Sequence, residues 1–213
     1  MRRLPVYLLL DTSGSMTGEP IEQVKNGMQM LVSSLRQNPH ALEVAYLSVI
    51  TFDTKAAEVV PLTELTAFQV PQITAKGGTS LGAALTLVAD SAKANVVKTT
   101  AEKKGDWRPL VFIMTDGQPT DDPADWQRAL ARFKQEKWGV VVGCAVNNAD
   151  VNVLKEISGE ERVVKLDTAD SGSMAAFFQW VSASVSVSSQ LVDKGATGPG
   201  DDAMPPPPPA LLV

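Results

Sequence analysis

Apolar positions along the chain alternate between two kinds of segment. Six short runs rich in β-branched residues, Leu4–Leu10, Val44–Phe52, Ala56–Pro61, Pro109–Thr115, Val140–Val146 and Arg162–Leu166, read as strands. Their near-continuous hydrophobicity indicates cover on both faces. Between them, apolar residues recur at helical spacing. One face carries Ile21, Val24, Met28, Leu31, Val32 and Leu35, with Pro20 in the first turn, where a helix tolerates it. Another carries Leu81, Ala84, Leu85, Val88, Ala92 and Val96, with Thr79 and Ser80 as expected capping hydroxyls. A third starts at Asp122-Pro123 and buries Trp126, Leu130 and Phe133, and a last helix from Ser173 to Leu191 buries Met174, Phe177, Phe178 and Val181.

This alternation predicts βαβ units in an α/β fold, a doubly wound, mostly parallel sheet flanked by helices. Only Asp53-Thr54-Lys55 separate the second and third runs, a hairpin spacing that makes one edge strand antiparallel. The domain is expected over residues 1–193. Beyond it, residues 195–213 hold three glycines and six prolines, including Pro205–Pro209, so 194–213 reads as a flexible Gly/Pro-rich tail outside the fold. A docking role for the proline run is the second reading.

Composition narrows the chemistry. With 19 basic and 24 acidic residues in 213, the net charge of −5 argues against a binder of duplex nucleic acid, which needs clustered cations. Cys144 is the single cysteine and sits in an apolar strand run, so neither an intrachain disulfide nor a thiolate zinc cluster can form. His40 is the single histidine, expected in a partly exposed loop after Asn38-Pro39, and a His-rich metal site is excluded. The apolar run after Arg2-Arg3 ends at Asp11, too short for a secretory signal, and no run approaches the roughly 18 residues that span a bilayer. A cytoplasmic location without membrane attachment is expected.

The informative residues follow the first strand, as Asp11-Thr12-Ser13-Gly14-Ser15. In doubly wound sheets ligands bind beyond the carboxyl ends of the strands at the switch point. The fourth strand ends similarly in Thr115-Asp116-Gly117, and the Gly77-Gly78-Thr79-Ser80 loop leads into a helix from the same edge. If the three loops converge, Asp11 and Asp116 offer carboxylates, and Ser13, Ser15 and Thr79 offer hydroxyls. An all-oxygen set suits hard divalent cations, Mg²⁺ first, with Mn²⁺ or Ca²⁺ as alternatives. Asp11 is expected at the surface. Asp53, Asp121 and Asp125 read as turn, rim or solvated residues, and Asp122 as a cap.

This pattern resembles the von Willebrand factor A family, whose metal-ion-dependent adhesion site reads Asp-x-Ser-x-Ser, then a Thr, then an Asp. The resemblance covers about residues 1–190. It implies that Ser13, Ser15 and Thr79 touch the metal, with Asp11 and Asp116 acting largely through water. Within the family, Arg2 to Asp11, Thr63-Glu64-Leu65, Gly105-Asp106-Trp107 and Asp116 to Asp121 are similar to TerY-like proteins, a bacterial group associated with tellurite resistance. That likeness implies work beside a protein kinase and a metal-dependent protein phosphatase in stress or defence signalling.

Other motifs fit less well. The oxygen-bearing residues after Asp11 mimic an EF-hand loop, but Met16 stands where that loop needs glycine. Gly78-Thr79-Ser80-Leu81-Gly82 matches a hydrolase nucleophile elbow, yet His40 precedes Ser80, the wrong order for its triad. No Gly-rich phosphate loop or dinucleotide fingerprint occurs. With no general base evident beside the carboxylates, the expected function is a non-enzymatic module that docks an acidic or phosphorylated partner group through a divalent cation. A metal-dependent phosphohydrolase and a docking subunit of a chelatase-like ATPase assembly are the alternatives.

Overall fold

A computed structural model describes residues 2–147, 149–167, 171–193 and 205–211. Six strands, β1 (Leu4–Asp11), β2 (Ala45–Phe52), β3 (Ala56–Glu64), β4 (Leu110–Thr115), β5 (Val140–Val146) and β6 (Val163–Leu166), form one sheet in the order β3-β2-β1-β4-β5-β6. All neighbouring pairs are parallel except β2 and β3, which close the expected hairpin. Pro61 lies within β3, an edge strand, where a missing N–H breaks no internal ladder.

Side chains alternate across the sheet as the two-residue period of a strand requires. Leu4, Val6, Leu8 and Leu10 face one buried cluster, and Tyr7 and Leu9 face the other. The first cluster is covered by α1 (Glu19–Arg36), α2 (Pro39–Val44) and α6 (Ser171–Asp193). The second is covered by α3 (Leu81–Asn95), α4 (Pro123–Gln135) and α5 (Val151–Ser158). Cys144 and Met28 are core residues, and the Cys144 thiol's pKa is pushed up by burial.

Local chemistry sets the helix ends. Gly18, at φ +90°, turns the chain into α1, a conformation that L side chains rarely adopt. Asp122 accepts from Ala124 N at 2.9 Å and caps α4, as expected. Ser80 does not cap α3. Asp121, from the loop after β4, takes the N–H groups of Gly82 and Ala83 at 3.0 and 3.2 Å. A carboxylate at the positive end of a helix replaces the weaker hydroxyl cap.

Two further expectations change, and one helix is new. His40 lies on the short helix α2 and is half-buried, because Asn38 caps a new helical turn through Ala41 N at 3.1 Å. The helix α5, capped by Asp150, follows β5. Residues 205–211, expected outside the fold, instead pack against it: Pro205 O accepts from Trp180 Nε1 and Leu211 is fully buried. The rest of 194–213 lies outside the described residues.

The α1–α6 contact is close because Gly27 has no side chain: a Cβ there would lie 2.0 Å from the Phe178 ring. Phe178 is itself buried and cannot retreat into solvent. Gly27→Ala should therefore lower the urea midpoint. Overpacking costs about 1–3 kcal/mol, which exceeds the roughly 1 kcal/mol gained in helix propensity.

Candidate metal centre

The winding brings the three loops to one edge. β1 pairs with both β2 and β4, so Asp11 lies level with Phe52 on one side and one step beyond the Leu10–Met114 pair on the other. Thr12 N donates to Phe52 O at 2.9 Å, Lys76 N to Thr12 O at 2.8 Å and Gly14 N to Gly77 O at 3.0 Å. The first ties the Asp11–Ser15 loop to the end of β2, and the other two clip it to the loop before α3. Gly77, at φ +73°, makes that turn, and a Cβ on it would lie 2.3 Å from Thr54 Oγ1.

Four of the five predicted residues form one series of polar contacts. Asp11 Oδ1 accepts from Ser13 N at 2.8 Å. The Ser13 and Ser15 hydroxyls lie 3.0 Å apart, and Ser15 Oγ donates to Asp116 Oδ1 at 2.8 Å. Thr79, the fifth, faces the residue after Asp116: a Cβ on Gly117 would lie 3.4 Å from Thr79 Oγ1. Reciprocal bonds hold Thr79 to the same loop, its N–H donating to Thr120 Oγ1 at 3.0 Å and its carbonyl accepting from Thr120 N at 2.9 Å. Asp11, Ser13 and Thr79 are buried, Asp116 is half-buried and Ser15 is exposed, so the cluster opens to solvent on the Ser15 side.

Asp11 is thus no surface carboxylate; it is fully buried at the end of a central strand. Burial raises its pKa above the usual 3.8; hydrogen bonds from Ser13 and Thr115 oppose the rise, and the charge of Asp116 adds to it. Thr115 is the residue that sequence reasoning missed. Its hydroxyl donates to Asp11 Oδ2 at 2.5 Å across the β1–β4 seam. Its place at the end of β4, immediately before Asp116, was the available signal.

The remaining acidic residues of this edge have other partners. Asp121 and Asp122 cap α3 and α4. Asp53 accepts from Lys55 N in its own turn, and Asp125 pairs with Arg128 on α4. Asp11 and Asp116 are left as the carboxylates in contact with the serine hydroxyls. Among the described residues no cluster of three or more His, Cys, Asp or Glu could hold a metal, so any cation site here depends on hydroxyl oxygens as well. The chemistry fits a hard cation: five oxygen-bearing side chains, two of them carboxylates, with no sulfur or imidazole.

The other stretches that carried the finer likeness have architectural roles. Arg2 Nε donates to Gly105 O at 2.7 Å, and its guanidinium lies 3.7 Å over the Trp107 ring. Arg3 pairs with Asp106, which also accepts from Val97 N at 2.8 Å. Together they clasp the start of β1 to the segment before β4, at the edge opposite Asp11. Leu65 is buried, and its carbonyl accepts from Arg36 Nε at 3.1 Å.

Comparisons with known proteins agree with this architecture. An uncharacterized protein of Synechocystis sp. is 33% identical over 124 residues, 55% of this chain, and the chain spans only 26% of that relative's length. A von Willebrand factor type A structure from Catenulispora acidiphila superposes with a TM-score of 0.67 at 17% identity, covering 87% of this chain and 43% of that one. Proximal thread matrix protein 1 from the mussel byssus, solved with a zinc-occupied MIDAS motif, gives 0.57 at 20% identity, over 85% of this chain and 46% of that one. Since the sequence model of the von Willebrand factor type A domain matches residues 6–179, and the six-stranded sheet carries that fold, the chain belongs to the von Willebrand factor type A family.

Proposed function

We propose that this chain is a metal-dependent protein-docking module. The observation that carries the reading is the contact series from Asp11 through Ser13 and Ser15 to Asp116, with Thr79 held against the same loop. Asp11, Ser13, Ser15, Thr79 and Asp116 would hold a divalent cation, Mg²⁺ by preference, with Mn²⁺ or Ca²⁺ as alternatives. The zinc-occupied motif of the mussel protein supports a divalent ion at a site of this kind. When bound, the ion supplies an electrophilic centre that a partner's carboxylate or phosphate oxygen can complete.

The chain's own residues provide rigidity and charge. Ser13 N–H and the Thr115 hydroxyl fix both carboxylate oxygens of Asp11, which orients it before any ligand arrives. Two carboxylates balance a divalent charge, and neutral hydroxyls add donors without cancelling it further. Non-enzymatic docking is favoured because His40, the single histidine, lies on α2 beside the start of β2, whereas Asp11 pairs with the end of that strand. β1 and β2 separate the two by roughly 20 Å at ~3.3 Å per residue. Likeness to TerY-like proteins extends the proposal to a partner: an acidic or phosphorylated group on a protein kinase or a metal-dependent protein phosphatase, in a cytoplasmic tellurite-resistance or stress-signalling complex. Among the described residues no helix is long and apolar enough to cross a membrane.

Thermal melts with Mg²⁺ test the site. At tenfold excess over Kd, binding should stabilise the wild type by about 1.4 kcal/mol, a rise of roughly 3–6 °C. Asp116→Ala should keep its far-UV circular dichroism in EDTA and show no rise; an equal rise in that variant would place the ion elsewhere.

Acidity gives a second test. The raised pKa of Asp11 means that its ionised form is penalised in the folded chain. That stability is present below the ordinary value of 3.8 and is lost as pH rises through the higher folded value. In EDTA, Asp11→Asn should therefore gain on the wild type between acid and neutral pH, and saturating Mg²⁺ should reverse the order at pH 7. Parallel pH profiles for the two proteins would count against it.

Partner docking is read by pull-down from host lysate with Mg²⁺ or with EDTA, beside Asp116→Ala. A kinase or phosphatase retained only by the wild type with metal is the expected result. Partners indifferent to both treatments, or metal-stimulated phosphate release by the purified chain, would overturn docking as the role of this site.

A further inference from the structure

The far edge of the sheet is unevenly matched. β6 has four residues against seven in β5, and its pairing begins only at Gly143–Val163. Val140 and Val142, at the start of β5, have no β6 residue paired with them, yet both are buried. The chain's own proline run borders them. Pro205, Pro206 and Pro207 line a groove of about 220 Å³ together with Val140, Val142, Val164 and Trp180. Trp180 is only 7% exposed, and its indole N–H donates to Pro205 O at 2.8 Å. Further along, Leu211 N donates to Pro208 O at 2.8 Å, closing a turn that buries Leu211 in the core cluster beside β6 and α6.

The chemistry of this contact is that of recognition. Proline lacks the N–H needed to extend a sheet, so the run faces the valines across this groove without joining them as a strand. An extended proline run leaves its carbonyls free to accept, and a groove that presents the Trp180 indole donor among valines, with Glu161 and Arg162 completing its lining, is suited to take it. Little entropy is lost because the prolines are already restricted.

We propose that the groove formed by Trp180, Val140, Val142 and Val164 is a polyproline-binding site. Its resident ligand is the chain's own Pro205–Leu211. It accepts the same class of ligand, a proline run followed by a leucine anchor, from solution once that segment is released. The tethered copy prevails because its effective concentration is on the order of millimolar. This site does not involve Asp11 or Asp116 and needs no cation, so its test is independent of the docking function proposed above.

The test is the anisotropy of a fluorescein-labelled peptide of residues 205–211, titrated into full-length wild type, Leu211→Asp, and Leu211→Asp combined with Trp180→Phe. Leu211→Asp should bind the peptide about tenfold or more tightly than the wild type, in line with removal of a tethered competitor. Trp180→Phe should abolish most of that gain, and EDTA should change neither result. If Leu211→Asp loses its far-UV circular dichroism, Pro206→Gly with Pro207→Gly replaces it, since these prolines lie at exposed or half-buried positions. Equal affinity in wild type and released variants, a gain that survives Trp180→Phe, or no binding at millimolar peptide would each overturn the proposal.

Discussion

Parallel pairing of β1 with β2 on one side and β4 on the other governs the rest of the molecule. A parallel neighbour is reached only by a crossover, so the chain leaves these strands at one common edge. At β1 the winding changes sides, and the loops after β1 and β4 meet there. The Thr115–Asp11 hydrogen bond spans this seam between residues 104 apart in sequence. It joins the two strand ends that carry the candidate centre.

The seam concentrates negative charge where it is poorly solvated. Asp11 is fully buried, disfavoured by that burial and repelled by Asp116, with two hydrogen bonds as partial relief. Nearby Asp121 and Asp122 face the N-termini of α3 and α4, where helix dipoles and free N–H groups favour a carboxylate. Two kinds of acidic residue thus share one edge. One kind stabilises helix ends, and the other holds charge that a hard cation would balance.

The opposite edge is organised around cations and aromatic rings. Arg2 stacks on Trp107 and Arg3 grips Asp106, tying the start of β1 to the segment that leads into β4. The strand that carries Asp11 is therefore anchored at both ends, by this clasp and by Thr115. On the α1–α6 face, Gly27 admits Phe178, and the proline segment hydrogen-bonds to Trp180 at the end of the sheet.

Strand identity, the hairpin at Asp53–Lys55, the apolar faces of the long helices and the oxygen-rich residues after β1 and β4 were all legible in the sequence. Each follows from a local rule: period two or 3.6 in hydrophobicity, loop length, or position at a strand end. The short helix α2 was not, because its few residues carry too little periodicity. Neither was the burial of Asp11, the capping of α3 by Asp121 in place of Ser80, or the packing of Leu211. These depend on partners far along the chain, 39 residues away for Asp121 and Gly82 and 25 for Trp180 and Pro205. A carboxylate or a proline run has no intrinsic environment; only the tertiary structure decided which became buried, which capped a helix and which packed beside Trp180, because that choice rests on what the fold brings alongside.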